Sequence, residues 1–407
     1  MTAWQRIAPL IISGLSWWSG LGLFVLLAGL ALVADGSRYA TQLNLLLFLP
    51  GIFLALLASY WVVLFRSLSG GILLALLGWV LVCAWLNPGG EIDLFRWFKV
   101  CLQLLVLMVV VGGLLQRPRL FEGVLVAAVI VAMLCAWLSL YQNYWVLGHP
   151  WGYRLHRLEA SGVGQLADFG NAIVAGLYYA SMAILALGLW HRVTPAWARV
   201  LWLAGLAGLC MAVFMTYARG VWIALVLASV CFWGLSLLRR SFVLLVLSLA
   251  AVALVAAVLE PQLMAKVFLN LTHREEIWQY TVARLEDTWL LGVGPAAPFN
   301  ACVAVLKQCF NQAHSLYLQM LFEFGAVGVA LFLGLIASLL LGVRHQHDER
   351  YVRLAVPLLV FALIAGVASY HAVFPRPGLV WVFLWLPIGI LLAMPCVSGR
   401  PECVGSE

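Results

Sequence analysis

The sequence predicts an all-α, polytopic integral membrane protein of about twelve transmembrane helices, folded as a single membrane domain over residues 1–407. Of its 407 residues, 65% are hydrophobic and only 10% are charged, whereas a soluble domain typically carries about 25% charged residues. The charged residues fall in short clusters between long apolar runs, which is the pattern of a helical membrane protein. The 19 tryptophans are typical of a bilayer protein with aromatic belts at its interfaces.

Each apolar run that can cross a hydrocarbon core of about 30 Å, which takes roughly 20 helical residues, is assigned as a span. The first run exceeds the roughly 7–15 residues of a signal-peptide core, and further spans follow it, so it is predicted to be a transmembrane helix. The predicted spans are 11–33, 43–65, 70–87, 99–116, 120–141, 166–190, 198–217, 220–238, 241–259, 315–343, 353–371 and 378–396.

The short connections between spans predict the orientation. With the N-terminus inside, every inside connection carries arginine, while the opposite side carries acidic residues such as Asp35, Glu91, Asp93 and Glu159. This positive-inside pattern places both termini in the cytoplasm of a bacterial inner membrane. The net charge of +7 follows mostly from this orientation, so we expect no nucleic-acid partner.

Two outside segments, 142–165 and 260–313, are too long for simple connectors and are predicted to be periplasmic loops that carry function. The second contains THREEIWQYTVARLEDTW, which predicts a helix ended by the Gly292–Pro295 break. Cys302 and Cys309 share this loop, where an oxidising compartment would permit a disulfide. Seven residues on a straight helix span roughly 10 Å, so a bridge requires irregular backbone between them.

His314 lies where the large loop enters a span, with access to water and an ordinary pKa near neutrality. It can serve as a general base toward a sugar hydroxyl, or it can be an interfacial histidine that only hydrogen-bonds. Arg219 stands between two apolar runs with almost no loop around it. It is either an anion clamp, because its planar fork of donors suits phosphate, or an arginine that snorkels to lipid headgroups.

Further basic residues lie in the two loops. Arg274 opens the loop helix, where phosphate binding and a solvated, acid-paired face are equally good interpretations. For Arg284, ten residues later, the solvated face is favoured. Arg154, His156 and Arg157 form a second cluster that would grip an anionic headgroup or substrate, or would only be solvated.

Three polar residues within or beside spans are interpreted as structural. Glu323 falls inside a predicted span, where a carboxylate needs a partner, so it is expected to make an internal polar contact. Asp168 and Asn171 begin another span and are expected to cap it.

The sequence contains no HExxH, CxxC pair, DxD, P-loop or GxSxG motif. If the chain is an enzyme, we therefore expect it to use no cofactor, nucleotide or tightly held metal and to take an already activated, membrane-delivered donor. A secondary transporter is the alternative of a different class. Transporter sites usually lie near the midplane, whereas here the ionisable residues collect at the outer face.

Three motifs occur in order across residues 216–328: TYARGVWIAL, THREEIWQYTVARL followed by LLGVGP, and AHSLYLQMLFEFGAVG. Together they resemble the bacterial O-antigen ligase and polymerase superfamily. That family has an arginine–glycine pair at a span start, an arginine-containing segment that ends in GxG, and a His-Asn/Ser-x-x-Leu motif followed by Glu-x-Gly-x-x-Gly. This chain departs from it in having Ser315 where asparagine is frequent and Ala218 where serine is frequent.

The resemblance implies a glycosyltransferase of GT-C-like fold with its active site facing the periplasm. The donor would be a glycan on undecaprenyl pyrophosphate and the acceptor a sugar hydroxyl of the lipid A–core oligosaccharide, which would complete lipopolysaccharide. Arg219 and Arg274 would bind the pyrophosphate, and His314 would be the catalytic base. O-antigen polymerase and protein O-oligosaccharyltransferase are the alternatives within the superfamily. We expect a monomer in contact with membrane lipid.

Overall fold

The computed structural model describes residues 3–58, 60–86, 94–155, 166–236, 274–286, 288–295, 297–303, 308–343 and 349–397. In this part of the chain the elements are α1 Ala3–Leu32, α2 Gly36–Leu57, α3 Tyr60–Arg66, α4 Leu68–Leu86, α5 Leu94–Leu115, α6 Pro118–Val146, α7 Ala172–Gly188, α8 Ala196–Met215, α9 Arg219–Ser236, α10 Arg274–Ala283, β1 Ala301–Val303, β2 Gln308–Phe310, α11 Leu316–Val343, α12 Glu349–Ala365 and α13, which joins Trp381–Trp385 to Leu386–Val397.

The helices confirm an all-α, multi-pass membrane architecture. Among the described residues, seven helices are long and apolar enough to cross a membrane, and three shorter apolar helices (α7, α9 and α13) accompany them. Each predicted span that falls on described residues coincides with helix, while the span predicted at 241–259 lies outside them. The helices pack as neighbours α9–α12, α5–α13, α4–α11, α1–α6 and α7–α8 around an apolar core.

The boundaries differ from prediction where the chain bends without a change in hydropathy. The predicted span 43–65 is divided at Ala58, whose backbone is extended (φ −110°, ψ 138°), and α3 is a separate helix after this break. The helix before the break, α2, begins earlier than predicted, at Gly36. The predicted span 166–190 begins only at Ala172, because the Asn171 side chain accepts a hydrogen bond from the Val174 N–H (2.9 Å) and caps α7. Of the two predicted capping residues, Asn171 is the one that caps.

Hydrogen bonds identify one end of the helix bundle, and ion pairs identify the other. The Ala167 N–H donates to Ala31 at the end of α1, and the Leu316 N–H donates to Gly366 at the end of α12 (both 2.7 Å). We call this the loop end; it also holds the described parts of 142–171, 274–315 and 366–380. Arg192 and Arg350 meet Glu122 at the other end, which we call the opposite end.

A small second core fills the loop end. Ile277, Leu285, Phe299 and Phe322 are buried together where α10, the hairpin and α11 meet. Cys302 pairs with Cys309 across the antiparallel hairpin β1–β2 and is joined to it by a disulfide. The hairpin supplies the non-helical backbone that such a bridge requires.

A kink in α11 holds the segment before the hairpin. Gly325 has φ +65° and ψ −173°, which interrupts the helix. The carbonyls freed at Phe322 and Glu323 accept hydrogen bonds from the N–H groups of Val293 (2.8 Å) and Gly294 (3.0 Å). The GVGP segment (292–295) and the FEFG segment (322–325) therefore cross and hydrogen-bond to each other, and we call this contact the crossing. It pairs backbone polar groups that would cost free energy if they were left unpaired inside a membrane protein.

Candidate functional site

His314 is fixed by the backbone on which it stands. Its predecessor Ala313 is fully buried, its carbonyl accepts from Trp278 Nε1 (3.1 Å), and its N–H donates to Gln319 Oε1 (2.8 Å). His314 then turns the chain into α11 with φ +51°, a left-handed conformation that costs free energy in a residue other than glycine. Phe310 contacts the imidazole edge-on, with ring centroids 5.4 Å apart.

Arg274 is the cation that the structure brings to His314. It is the first residue of α10, the helix that is fastened to Ala313 through Trp278. Burial lowers the pKa of Arg274 from its usual value. The pKa of His314 is lowered too, first by burial and then by the positive charge of Arg274. The imidazole is thus neutral at pH 7 and can accept a proton.

His371 is close enough to His314 for their charges to interact, and sequence reasoning missed it. Burial, and secondly the charge of His314, lower the pKa of His371 to about 4. It lines a cleft of about 230 Å³ with Arg96, Glu323 and Arg376. The available signal was the sequence HAVFPRPG, which puts a histidine and an arginine in one short outside connection.

Glu323, which lines this cleft, is linked by hydrogen bonds to the residue before His314. Its Oε1 accepts a hydrogen bond from Gln319 Nε2 (3.0 Å), and Gln319 in turn holds the Ala313 N–H. The expectation that Glu323 makes an internal polar contact is met by this chain of hydrogen bonds, which leads back to the residue before His314.

Arg219 begins α9 beside the turn that follows α12 (366–369), and α11 begins against the same turn. The preceding turn is tight: Tyr217 has φ +54°, and the Thr216 hydroxyl accepts from the Ala218 N–H (3.3 Å). Gly220 packs closely on Ser369, whose hydroxyl would have to move to admit a Cβ at this position. Since Leu316 binds Gly366, three residues before Ser369, the starts of α9 and α11 converge on one turn.

The first loop is fastened to the turn before Arg219. The Leu155 N–H donates to the Met215 carbonyl (2.9 Å), and the Tyr217 hydroxyl donates to the Trp151 carbonyl (2.6 Å). Arg154 is exposed, with one Nη2 contact to the Tyr217 carbonyl at 3.5 Å. His156 and Arg157, predicted in the same cluster, lie outside the described residues.

Arg284 has a different environment from Arg274. It follows the end of α10, is exposed, and places its guanidinium over the Tyr280 ring, 5.9 Å from the centroid. This agrees with the favoured interpretation of Arg284 as a solvated residue.

The arrangement is suited to an anion and a nucleophile held side by side. A neutral, half-buried imidazole stands next to a half-buried guanidinium, and a second guanidinium starts the adjacent helix. Guanidinium groups hold phosphate oxygens by charge-assisted hydrogen bonds, and a neutral imidazole accepts a proton from a hydroxyl.

Comparison with known proteins gives two matches. The family model described as O-antigen ligase matches residues 203–333, a stretch that contains Arg219, Arg274, Arg284 and His314. The chain is also 26% identical over 385 residues to the O-antigen ligase of Pseudomonas aeruginosa, an alignment that covers 93% of this chain and 90% of that protein. The resemblance inferred from the three motifs is thereby confirmed.

Proposed function

From this likeness to O-antigen ligases, we propose that the chain is a glycosyltransferase that moves a glycan from undecaprenyl pyrophosphate to a sugar hydroxyl of lipid A–core oligosaccharide. The site faces the periplasm, and the enzyme is a monomer that uses neither a metal nor a cofactor. The observation that carries the proposal is the pairing of Arg274 with His314, whose pKa is lowered by burial and then by that charge.

The transfer is a single displacement at the anomeric carbon. His314 takes the proton from the acceptor hydroxyl as its oxygen attacks, and the bond from the anomeric carbon to the pyrophosphate oxygen breaks. The new glycosidic bond forms on the opposite face, which inverts the anomeric centre, and undecaprenyl pyrophosphate leaves. Arg274 and Arg219 hold the pyrophosphate and stabilise its developing charge.

The test is complementation of a strain that lacks its own ligase, scored by the O-antigen ladder of purified lipopolysaccharide. The wild-type chain is expected to restore the ladder and His314→Ala to abolish it. His149→Ala is the matched control, because His149 is also at the loop end but stacks on Tyr153. All variants are checked for equal amounts in the membrane.

Each outcome decides between named possibilities. A full ladder with His314→Ala would remove His314 from the chemistry. If the wild-type chain instead lengthens lipid-linked glycan, or glycosylates a protein, the acceptor is that of an O-antigen polymerase or an O-oligosaccharyltransferase. If it moves an anion across vesicles without any transfer, the chain is a transporter.

A further inference from the structure

The opposite end of the bundle contains a charged cluster that the proposed glycosyl transfer does not use. Glu122, in the second turn of α6, has a side chain that is only 2% exposed. Its carboxylate lies 2.8 Å from Arg192 Nε, 3.3 Å from Arg350 Nη1 and 3.5 Å from His191 Nε2. A single buried carboxylate therefore holds two arginines, one from the 3₁₀ turn Trp190–Arg192 that follows α7 and one from α12.

These arginines line an open pocket of about 760 Å³ together with Arg117 and Arg119. Its described lining residues include four arginines and one glutamate, an excess of three positive charges. Arg117 is held by the Ser13 hydroxyl of α1 (2.7 Å), whereas no hydrogen bond or ion pair joins Arg119 to any described residue. The pocket is thus preorganised for an anion, and among the described residues no carboxylate is paired with the Arg119 cation at its rim.

An apolar groove of about 330 Å³ continues from this pocket along α1 and α6. The two cavities share Trp17, Arg119 and Leu120, and the groove adds Phe24 and Gly123. A Cβ added at Gly123 would meet nothing within 4 Å, so the missing side chain leaves the groove open. The cationic pocket suits the polar head of an amphiphile and the apolar groove suits its tail, so the two cavities together form one binding site for such a molecule.

We propose that this site binds one anionic glycerophospholipid of the surrounding membrane, with its phosphate among the arginines and an acyl chain in the groove. Charge decides the class of lipid: basic pockets between transmembrane helices bind anionic headgroups, while the choline or ethanolamine of a zwitterionic lipid would meet the excess positive charge. The bound lipid joins α1, α6, α12 and the end of α7 at a place where the protein alone leaves like charges together.

The experiment measures lipid binding to the purified full-length chain in detergent, by native mass spectrometry and thermal unfolding. Phosphatidylglycerol is expected to bind and to raise the Tm, and phosphatidylcholine to do neither. Arg119→Gln is expected to weaken phosphatidylglycerol about fivefold, and Gly123→Leu, which fills the groove without changing charge, about tenfold. The matched controls are Arg66→Gln and Gly78→Leu, both exposed positions outside the site, which should bind as the wild type does.

Arg119→Gln and Gly123→Leu change different parts of the site, so a folding defect in one variant leaves the other informative. Enzyme activity is not measured in this experiment. Equal binding of phosphatidylcholine, or equal affinity in all four variants, would overturn the proposal. If glycerol 3-phosphate protects as well as the lipid, the pocket binds a free anion and the groove has no part in it. Tighter binding of undecaprenyl phosphate would overturn the assignment to a glycerophospholipid.

Discussion

At the scale of single residues, one cation next to His314 has two consequences. Arg274 is proposed to hold an anion, and its charge adds to the larger effect of burial in lowering the pKa of His314, which favours the unprotonated imidazole. A base that carries no charge of its own does not compete with Arg274 for the pyrophosphate proposed to lie there. The position of Arg274 at the start of α10, fastened through Trp278 to Ala313, makes these two effects inseparable.

The pH dependence of transfer tests this coupling. Because the His314 pKa lies below 6.5 and the neutral form is the base, kcat/KM should be level near pH 7.5. It should reach half its value only below pH 6.5. Arg274→Lys keeps the charge and should keep this acid limb, whereas the residual activity of Arg274→Gln should show a limb at higher pH. An unchanged limb in Arg274→Gln would mean that the arginine charge does not act on the histidine.

His371 should make the fold sensitive to acid. Its pKa is about 4 in the folded chain against an ordinary 6.5, so the unfolded chain binds the extra proton between these values. Stability therefore falls as pH drops below 6.5, by up to about 2 kcal/mol at pH 5. In thermal unfolding, His371→Gln should lose less Tm between pH 7.5 and pH 5 than wild type or His149→Gln. An equal loss in all three would place the sensitivity elsewhere.

The sequence predicted the two central ionisable residues of the site, but not the residues that surround them. His314 and Arg274 were predicted because each stands at the junction of a polar loop with a helix, and the structure puts them together. His371 was missed because its proximity to His314 depends on the Leu316–Gly366 hydrogen bond, a contact between residues fifty positions apart. The predicted roles of Arg219, Arg154 and His314 in binding and catalysis remain predictions.

At the scale of elements, the kink of α11 explains two glycine motifs at once. Gly325 (φ +65°) and Gly292 (φ +79°) face each other across the crossing, and a Cβ on either would collide with the other segment's backbone. The indole of Trp79 donates to the Phe324 carbonyl (2.9 Å) and completes the hydrogen bonding of the kink. The sequence predicted only a turn at Gly292–Pro295, because the partner of that turn lies thirty residues further along.

Substitution at the kink should therefore lower the free energy of unfolding far more than substitution elsewhere on α11. Gly325→Ala places a side chain at positive φ, which costs roughly 1–2 kcal/mol before any clash is counted, and should lower the Tm by several degrees. Gly334→Ala is the matched control on the same helix, because an added Cβ there meets nothing within 4 Å; it should be neutral or slightly stabilising. Equal Tm values for the two would show that the crossing is dispensable.

At the scale of the whole molecule, the helices were the most predictable feature, because a span needs only length and hydropathy. The breaks at Ala58 and Ala365 were not, since no charge or proline marks them. Hydropathy decides which segments enter the membrane, whereas contacts with other helices decide where each helix stops.

The predicted orientation of the helix bundle across the membrane can be tested separately. Alkaline phosphatase fused after Trp151, at the loop end, should be active, because that end is predicted to face the periplasm. The same reporter fused after Thr194, close to Arg192 at the opposite end, should be inactive, and green fluorescent protein should show the reverse. Activity at both positions, or at Thr194 alone, would contradict the positive-inside assignment.

The crossing between Gly292 and Gly325 also concerns the order in which the chain is made. The 289–294 segment leaves the ribosome before α11, so the N–H groups of Val293 and Gly294 meet their carbonyl partners only when that helix arrives. The helix in turn reaches the bilayer with the Phe322 and Glu323 carbonyls that this segment satisfies, and lipid offers them no hydrogen-bond donor. Insertion of α11 and closure of the loop around His314 are therefore one step of biogenesis. A chain that stops before Gly325 would leave the loop around His314 unassembled, however many helices had already been inserted.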